Sequence, residues 1–335
     1  MEMESVIETK SEQLLLKACH FGASDLHLVP AEHNYAIMFR KYGRFIQAGE
    51  LPNDIAGRVI SYFKFLSSLD ISEKRKPQSG SFQKEVQDNL FAFRVSTLPS
   101  AFAKESLAIR LLRQNYALPL TSLCYKSSAA LQLYSLVEQP QGLLLFSGAT
   151  GSGKTTSLYS LVQYCSRNLG RHVISLEDPV ESSQEQLLQI QVNERAGVSY
   201  ASGLKAILRH SPDVIMIGEI RDKETAKIAM EAALTGHLVL STIHAKDTVN
   251  CLYRLLDLGL SIEELRQTLV GIVAQTLITT PTEERKALIE VLAEANLGEA
   301  MMALMHGESY DLPFATTLTG QLKRFEVDSY VPSTS

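Results

Sequence analysis

The chain has 335 residues, 45% apolar and 21% charged, which is the balance of a globular protein of about two domains. No apolar run approaches the ~20 residues that cross a bilayer, and the acidic start MEMESVIETK lacks the apolar core of a secretory signal, so a cytosolic protein is expected. The net charge of −5 is uneven, with 16 basic and 13 acidic side chains in residues 1–130 and 16 and 24 in the remainder; the acidic second part argues against direct nucleic-acid binding there.

In chain order, residues 5–21 predict a helix, with Val6, Leu14, Leu15 and Ala18 near helical spacing and Gly22 as its stop. YAIMFR and RFIQA predict a hairpin about a turn at Lys41–Gly43. LPNDIAGRVISYFKFLSSLD reads as a helix, and EKRKPQ (73–78), the one dense basic stretch, as a solvated turn. SFQKEVQ and NLFAFRVSTL flank a turn expected at Asp88–Asn89, and SLAIRLL adds a strand. Together these make a small α+β domain over 1–113, followed by a linker over 114–124.

From Tyr125 the pattern changes. A helix over 128–138 precedes the strand GLLLFSG, and the strands HVISLED, DVIMIGE and HLVLSTIH then alternate with helices. Short, fully apolar strands in that alternation predict a parallel sheet covered on both faces, assigned here to 125–280. SIEELRQTLVGIVAQTLI is expected to form one amphipathic helix, opened by a Ser261–Glu264 capping box and keeping Leu265, Leu269, Ile272 and Val273 on one face. Residues 281–335 are expected to be a helical segment with a polar tail. The cysteines at 19, 124, 165 and 251 stand alone, which suggests buried thiols rather than a disulfide framework or a zinc ribbon.

GATGSGKT (148–155) fits the phosphate-loop pattern and has its context, an apolar strand before and a helix after. Glycines let the loop (Gly148, Ala149, Thr150, Gly151, Ser152, Gly153) wrap so that its N–H groups and the helix N-terminus meet phosphates. Lys154 would bridge the β and γ phosphates of ATP, and Thr155, followed by Thr156, would hold Mg²⁺. Hydrolysis also needs acids, and two strand ends supply them: Glu219 in DVIMIGE, and Glu177, Asp178 and Glu181 in LEDPVE. His237 and His244 bracket an apolar run, and as a strand this run spans roughly 23 Å. They cannot share a metal ion, and the carboxyl edge of the sheet favours His244. Each could equally be structural.

In order, ASDLHL (23–28), GATGSGKT, LEDPVE, DVIMIGEIRD and TGHLVLSTIH resemble the ATPases of type II secretion systems, type IV pili and competence pseudopili. GLKAILRHSPD, RKPQSGS and the short chain are most similar to the competence ATPases of Gram-positive bacteria. The resemblance implies a PAS-like first domain, a RecA-like ATPase domain and a homo-hexamer at the cytoplasmic face of the cell membrane. It also implies an integral platform protein as partner and pilin-like subunits assembled indirectly. It gives Glu219 a role in placing Mg²⁺ and water, makes Glu181 the general base, and includes both His237 and His244. It further implies that first-domain arginines reach the phosphates; Arg94 and Arg110 each alternate with apolar residues and so lie on the face away from the core. They are a phosphate clamp or ordinary solvent-facing charges. Many larger members carry a tetracysteine zinc segment where this chain has ITTPTEER, so no zinc is expected. A retraction or assembly ATPase of a type IV pilus, a RecA-like DNA translocase and a nucleotide-dependent scaffold stay open as alternatives.

Overall fold

The computed structural model describes residues 2–100, 104–114, 118–184 and 187–330. The chain divides into two compact units, Met1–Tyr116 with Glu181–Ser183, and Ala117–Val180 with Gln184–Ser335.

The first unit begins with helix α1 (Glu2–Phe21) and strands β1 (Asp25–Pro30), β2 (Asn34–Lys41) and β3 (Arg44–Pro52). Helix α2 (Asn53–Leu66) and strands β4 (Gln78–Val86), β5 (Asn89–Pro99) and β6 (Glu105–Arg113) complete it. The strands form one antiparallel sheet in the order β3-β2-β1-β6-β5-β4. Alternation decides its faces: Leu26, Leu28, Phe93, Val95, Leu107 and Ile109 point into a core completed by Leu15, Ala18, Val59 and Phe63. The turn expected at Asp88–Asn89 lies one residue earlier. Gln87 and Asp88 hold φ of 50° and 59°, and Val86 pairs with Asn89. Two left-handed residues give a hairpin turn whose twist matches that of its strands.

One ion pair is sealed in this unit. Lys64 is fully buried, and its Nζ donates to Glu105 at 2.8 Å and to the carbonyl of Glu73 at 2.7 Å. Removing one partner strands a buried charge, so Glu105→Ala should cost about 3–5 kcal/mol, read as a lower denaturant midpoint of the full chain. Lys64→Met with Glu105→Leu should recover most of that loss, because both charges then leave together.

The second unit starts with α3 (Leu120–Leu123), α4 (Ser127–Glu138), β7 (Gly142–Ser147) and α5 (Lys154–Arg167). Next come β8 (Val173–Glu177), β9 (Leu188–Gln191), α6 (Tyr200–Ile207), β10 (Val214–Ile217), α7 (Lys223–Leu234) and β11 (Leu238–Ile243). Helices α8 (Thr248–Asp257) and α9 (Ile262–Thr268), strands β12 (Leu269–Thr279) and β13 (Arg285–Ala293), and helices α10 (Glu294–Met305) and α11 (Leu318–Tyr330) follow. The sheet runs β13-β12-β7-β11-β10-β8-β9 and is parallel except for β13. As expected, β7, β8, β10 and β11 are buried at every position. Successive residues feed opposite cores: Leu143, Leu145, Ile215 and Ile217 one, Leu144, Phe146, Val214 and Met216 the other.

Two expectations are corrected. The Ser261–Glu264 capping box forms, but its helix stops at Thr268 and the chain continues as β12. Residues 285–293, expected to be helical, are β13, paired antiparallel to β12. Both segments are rich in apolar residues on both faces, and such runs satisfy a helical stripe and a doubly covered strand equally well. The β-branched Val270, Ile272 and Val273 tip the choice to strand. ITTPTEER closes this hairpin, Thr279 pairing with Arg285. On β13, buried Glu290 accepts from the amide and hydroxyl of Thr248 at 3.0 and 2.6 Å and from the amide of Leu318 at 2.8 Å. One carboxylate thereby caps α8 and α11 together. Part of the expected linker (115–117) and of the polar tail (331–335) lies outside the described residues.

Candidate active site

The site is built at the carboxyl edge of the second unit's parallel strands. β7 ends at Ser147, and the chain turns at once into the loop 148–153. Gly148 has φ 138°, and a Cβ there would lie 2.4 Å from the carbonyl oxygen of Gln275. Gly153 has φ 86°, and a Cβ there would lie 2.9 Å from the Gln275 amide nitrogen. Side chains are thus excluded at both ends of the loop, by backbone conformation and by space. Lys154, 9% exposed, folds its ammonium onto the carbonyls of Gly148 and Ala149 at 2.8 and 2.9 Å. Thr155 is half-buried in the first turn of α5, and Thr156 is exposed. The Ser152 hydroxyl is buried and has no hydrogen-bond partner among the described residues. A glycine cradle, an ammonium, a helix N-terminus and an orphan hydroxyl suit phosphate oxygens.

The acids come from the neighbouring strands. β10 and β11 pair in parallel with Ile217 opposite Ser241, a register that carries Glu219 and His244 past the strand ends side by side. His244 Nε2 stands 3.0 Å from Glu219 Oε1, and Arg221 Nε donates to Glu219 Oε2 at 2.6 Å. That hydrogen bond and the carboxylate charge raise the Arg221 pKa further. Gly218 leaves room for its neighbours, since a Cβ there would come within 3.2 Å of the Tyr200 hydroxyl and 3.4 Å of the Glu177 Cα. Burial, then Asp178, push the Tyr200 phenol up to about 12, so it stays protonated at neutral pH.

His237 is elsewhere. It stands at the amino edge of the sheet, its carbonyl accepting from the Gly142 amide at 3.0 Å. Its Nδ1 lies 3.0 Å from the carbonyl of Ala232 and 3.3 Å from the Thr235 hydroxyl. β11 separates the two histidines as the spacing predicts, and only His244 reaches the acids. Glu177 is buried at the end of β8, accepting from Tyr159 at 2.5 Å, Ser175 at 2.6 Å and Gln189 at 3.1 Å. Glu181 is exposed and belongs to the segment grouped with the first unit, where Gln114 Nε2 donates to its carbonyl at 3.3 Å.

In the first unit's sheet, Arg94 pairs with Arg110 and Arg110 with Asp25, all on the face away from the core. Asp25, buried, holds Arg110 Nε at 3.0 Å and also accepts from the Ser24 hydroxyl at 2.8 Å. The aspartate of ASDLHL is thereby given a task, to fix one of the two expected arginines.

The family model for the type II/IV secretion system protein matches residues 1–308. The chain belongs to that family. It is 46% identical over 272 residues to the competence protein ComGA of Bacillus subtilis (strain 168), covering 81% of this chain and 76% of that one. Against the ComGA of Halalkalibacterium halodurans the figure is 45% over 276 residues, covering 82% and 79%. The pilus retraction motor PilT, solved with bound ADP, superposes with a TM-score of 0.69 at 25% identity, covering 96% of this chain and 94% of that one.

Two features of this secretion-family chain were not found from sequence. Gln275, packed on the phosphate loop, lay inside a segment expected to be helical. The donors to Glu177 include Gln189 on β9, a strand too short and polar to be read from alternation. The four cysteines are free, three buried and Cys19 half-buried. Burial pushes the Cys19 and Cys124 thiols up to about 11, away from reactive thiolate.

Proposed function

We propose that this chain is a hexameric ATPase motor that assembles a competence pseudopilus and thereby promotes DNA uptake. The observation that carries the reading is the joining of phosphate loop and Glu219–His244 pair on one sheet edge, in a chain 46% identical to a competence protein. The ADP bound in the PilT structure supports a nucleotide as the ligand of this chain.

In this reading the loop N–H groups and Lys154 bind the β and γ phosphates of ATP and hold the γ group in line for attack. Thr155 and Glu219 are the residues proposed to hold a magnesium ion, which when bound would offset phosphate charge. Glu219, contacted on one oxygen by Arg221 and on the other by His244, orients water. Glu181 is the proposed acceptor of the water's proton, at its carboxylate. Arg94 and Arg110 are proposed to bind phosphate oxygens, with Asp25 aligning Arg110. His237 keeps a structural place in the α7–β11 turn. The proposed partners are five further copies, an integral platform protein at the cytoplasmic membrane face and, through it, pilin-like subunits. Among the described residues no helix is long and apolar enough to cross a membrane.

Deleting the gene should abolish transformation, and added DNA should leave hydrolysis by the purified protein unchanged. Loss of twitching with uptake intact would favour a pilus retraction ATPase instead. Hydrolysis stimulated by DNA in a salt-sensitive way would favour a translocase.

A further inference from the structure

Gln275 is 2% exposed and lies against the phosphate loop at its first residue, Gly148, and at its last two, Ser152 and Gly153. Its Nε2 donates to the Ser152 carbonyl at 2.8 Å, and the Ser157 hydroxyl on α5 donates to its Oε1 at 2.9 Å. Its own carbonyl occupies the space beside Gly148, and its amide nitrogen the space beside Gly153. The amide can face only one way, because the Ser152 carbonyl accepts and never donates. β12 lies parallel to β7 with Ala274 opposite Ser147, so Gln275 is the next residue along, where β7 gives way to the loop.

We propose that Gln275 is a positioning residue for nucleotide binding, holding the phosphate loop in its gripping shape from the adjacent strand. The proposal rests on the ATPase reading. A glycine-rich loop is soft, and its N–H groups bind phosphate only when they converge. To the loop's own bonds, the Ser152 amide to the Ala149 carbonyl at 3.2 Å and Lys154 to the carbonyls of Gly148 and Ala149, Gln275 adds a brace from a buried strand. Between a carbonyl and a hydroxyl, a neutral amide offers a donor at one end and an acceptor at the other. In a buried site no water competes for either bond. A carboxylate of the same shape would set an acceptor against the Ser152 carbonyl, and an apolar side chain would leave both groups unpaired.

The test uses the full chain with Gln275→Glu and Gln275→Leu, and Ser157→Ala as a milder variant that removes only the α5 bond. ADP affinity is measured by titration, steady-state kinetics give KM and kcat for ATP, and hydrogen exchange is followed at the amides of 149–153 without nucleotide. Both Gln275 variants should weaken ADP binding about tenfold, equivalent to about 1.4 kcal/mol. They should raise KM for ATP in proportion with kcat falling less than threefold, and speed exchange in the loop. Ser157→Ala should weaken ADP binding about threefold. ADP affinity within twofold of wild type in the folded variants overturns the proposal. A fall in kcat with affinity intact also overturns it, since that places Gln275 in the chemical step. A wild-type chain that binds no ADP defeats the ATPase reading instead, and loop exchange then still decides whether Gln275 holds the loop.

Discussion

Lys154→Ala should lower kcat/KM for ATP by roughly 10³-fold or more and abolish transformation in cells that carry it. The side chain is nine-tenths buried, and its ammonium already rests on the carbonyls of Gly148 and Ala149, poised within the loop it serves. Alanine removes the positive charge meant for the β and γ phosphates and leaves those two carbonyls without that donor. The helix is not threatened, since alanine is the best helix former and Lys154 begins α5. The loss should therefore appear in nucleotide binding and turnover, with thermal unfolding of the unliganded protein near that of wild type. Turnover within tenfold of wild type would remove the loop from the chemistry, and normal transformation would sever hydrolysis from the proposed work.

Glu219→Gln should behave differently. Its shape is conserved, but the amide loses the charge that holds Arg221 at 2.6 Å and faces His244 at 3.0 Å. In the proposed mechanism binding of ATP draws on the loop, which the substitution leaves intact, whereas orienting water draws on the carboxylate. The expected result is a fall in kcat of about 10²–10⁴-fold with ATP affinity within about threefold of wild type. Single-turnover assays should then find ATP bound and uncleaved. Arg221→Ala, which frees one oxygen of the same carboxylate, should cost less, because His244 still faces the other. Wild-type function in cells carrying Glu219→Gln would support a nucleotide-dependent scaffold over a motor.

These two outcomes separate grip from cleavage, and the difference follows from which elements carry each. In the proposed mechanism the grip belongs to a contiguous stretch, 148–155. Cleavage, as proposed, draws on β10 and β11, more than twenty residues apart in sequence and adjacent in the sheet. The first could be read directly as a motif. The second needed the parallel register, although the position of His244 beyond a strand's carboxyl end already singled it out over His237.

Elsewhere legibility tracked how completely a segment is buried. The first unit's strands alternate between core and open face, so Phe93 and Val95 against Arg94, and Ile109 and Leu111 against Arg110, declared their faces in sequence. β12 and β13 are covered on both sides, carry no such alternation, and fit a helical stripe as well as a strand. Misreading them hid Gln275, which matters only because β12 lies beside β7.

Sequence alone determined the phosphate loop, the alternation of strand and helix around it, and the separation of the two histidines. Each of these depends on residues close together in the chain, where spacing and backbone preference act locally. Only the tertiary structure decided that Glu219 meets His244, that Asp25 holds Arg110, and that Gln275 braces the loop. Those partners are joined by strand register and burial across long stretches of chain, and no local pattern encodes a distance between residues that the fold alone brings together.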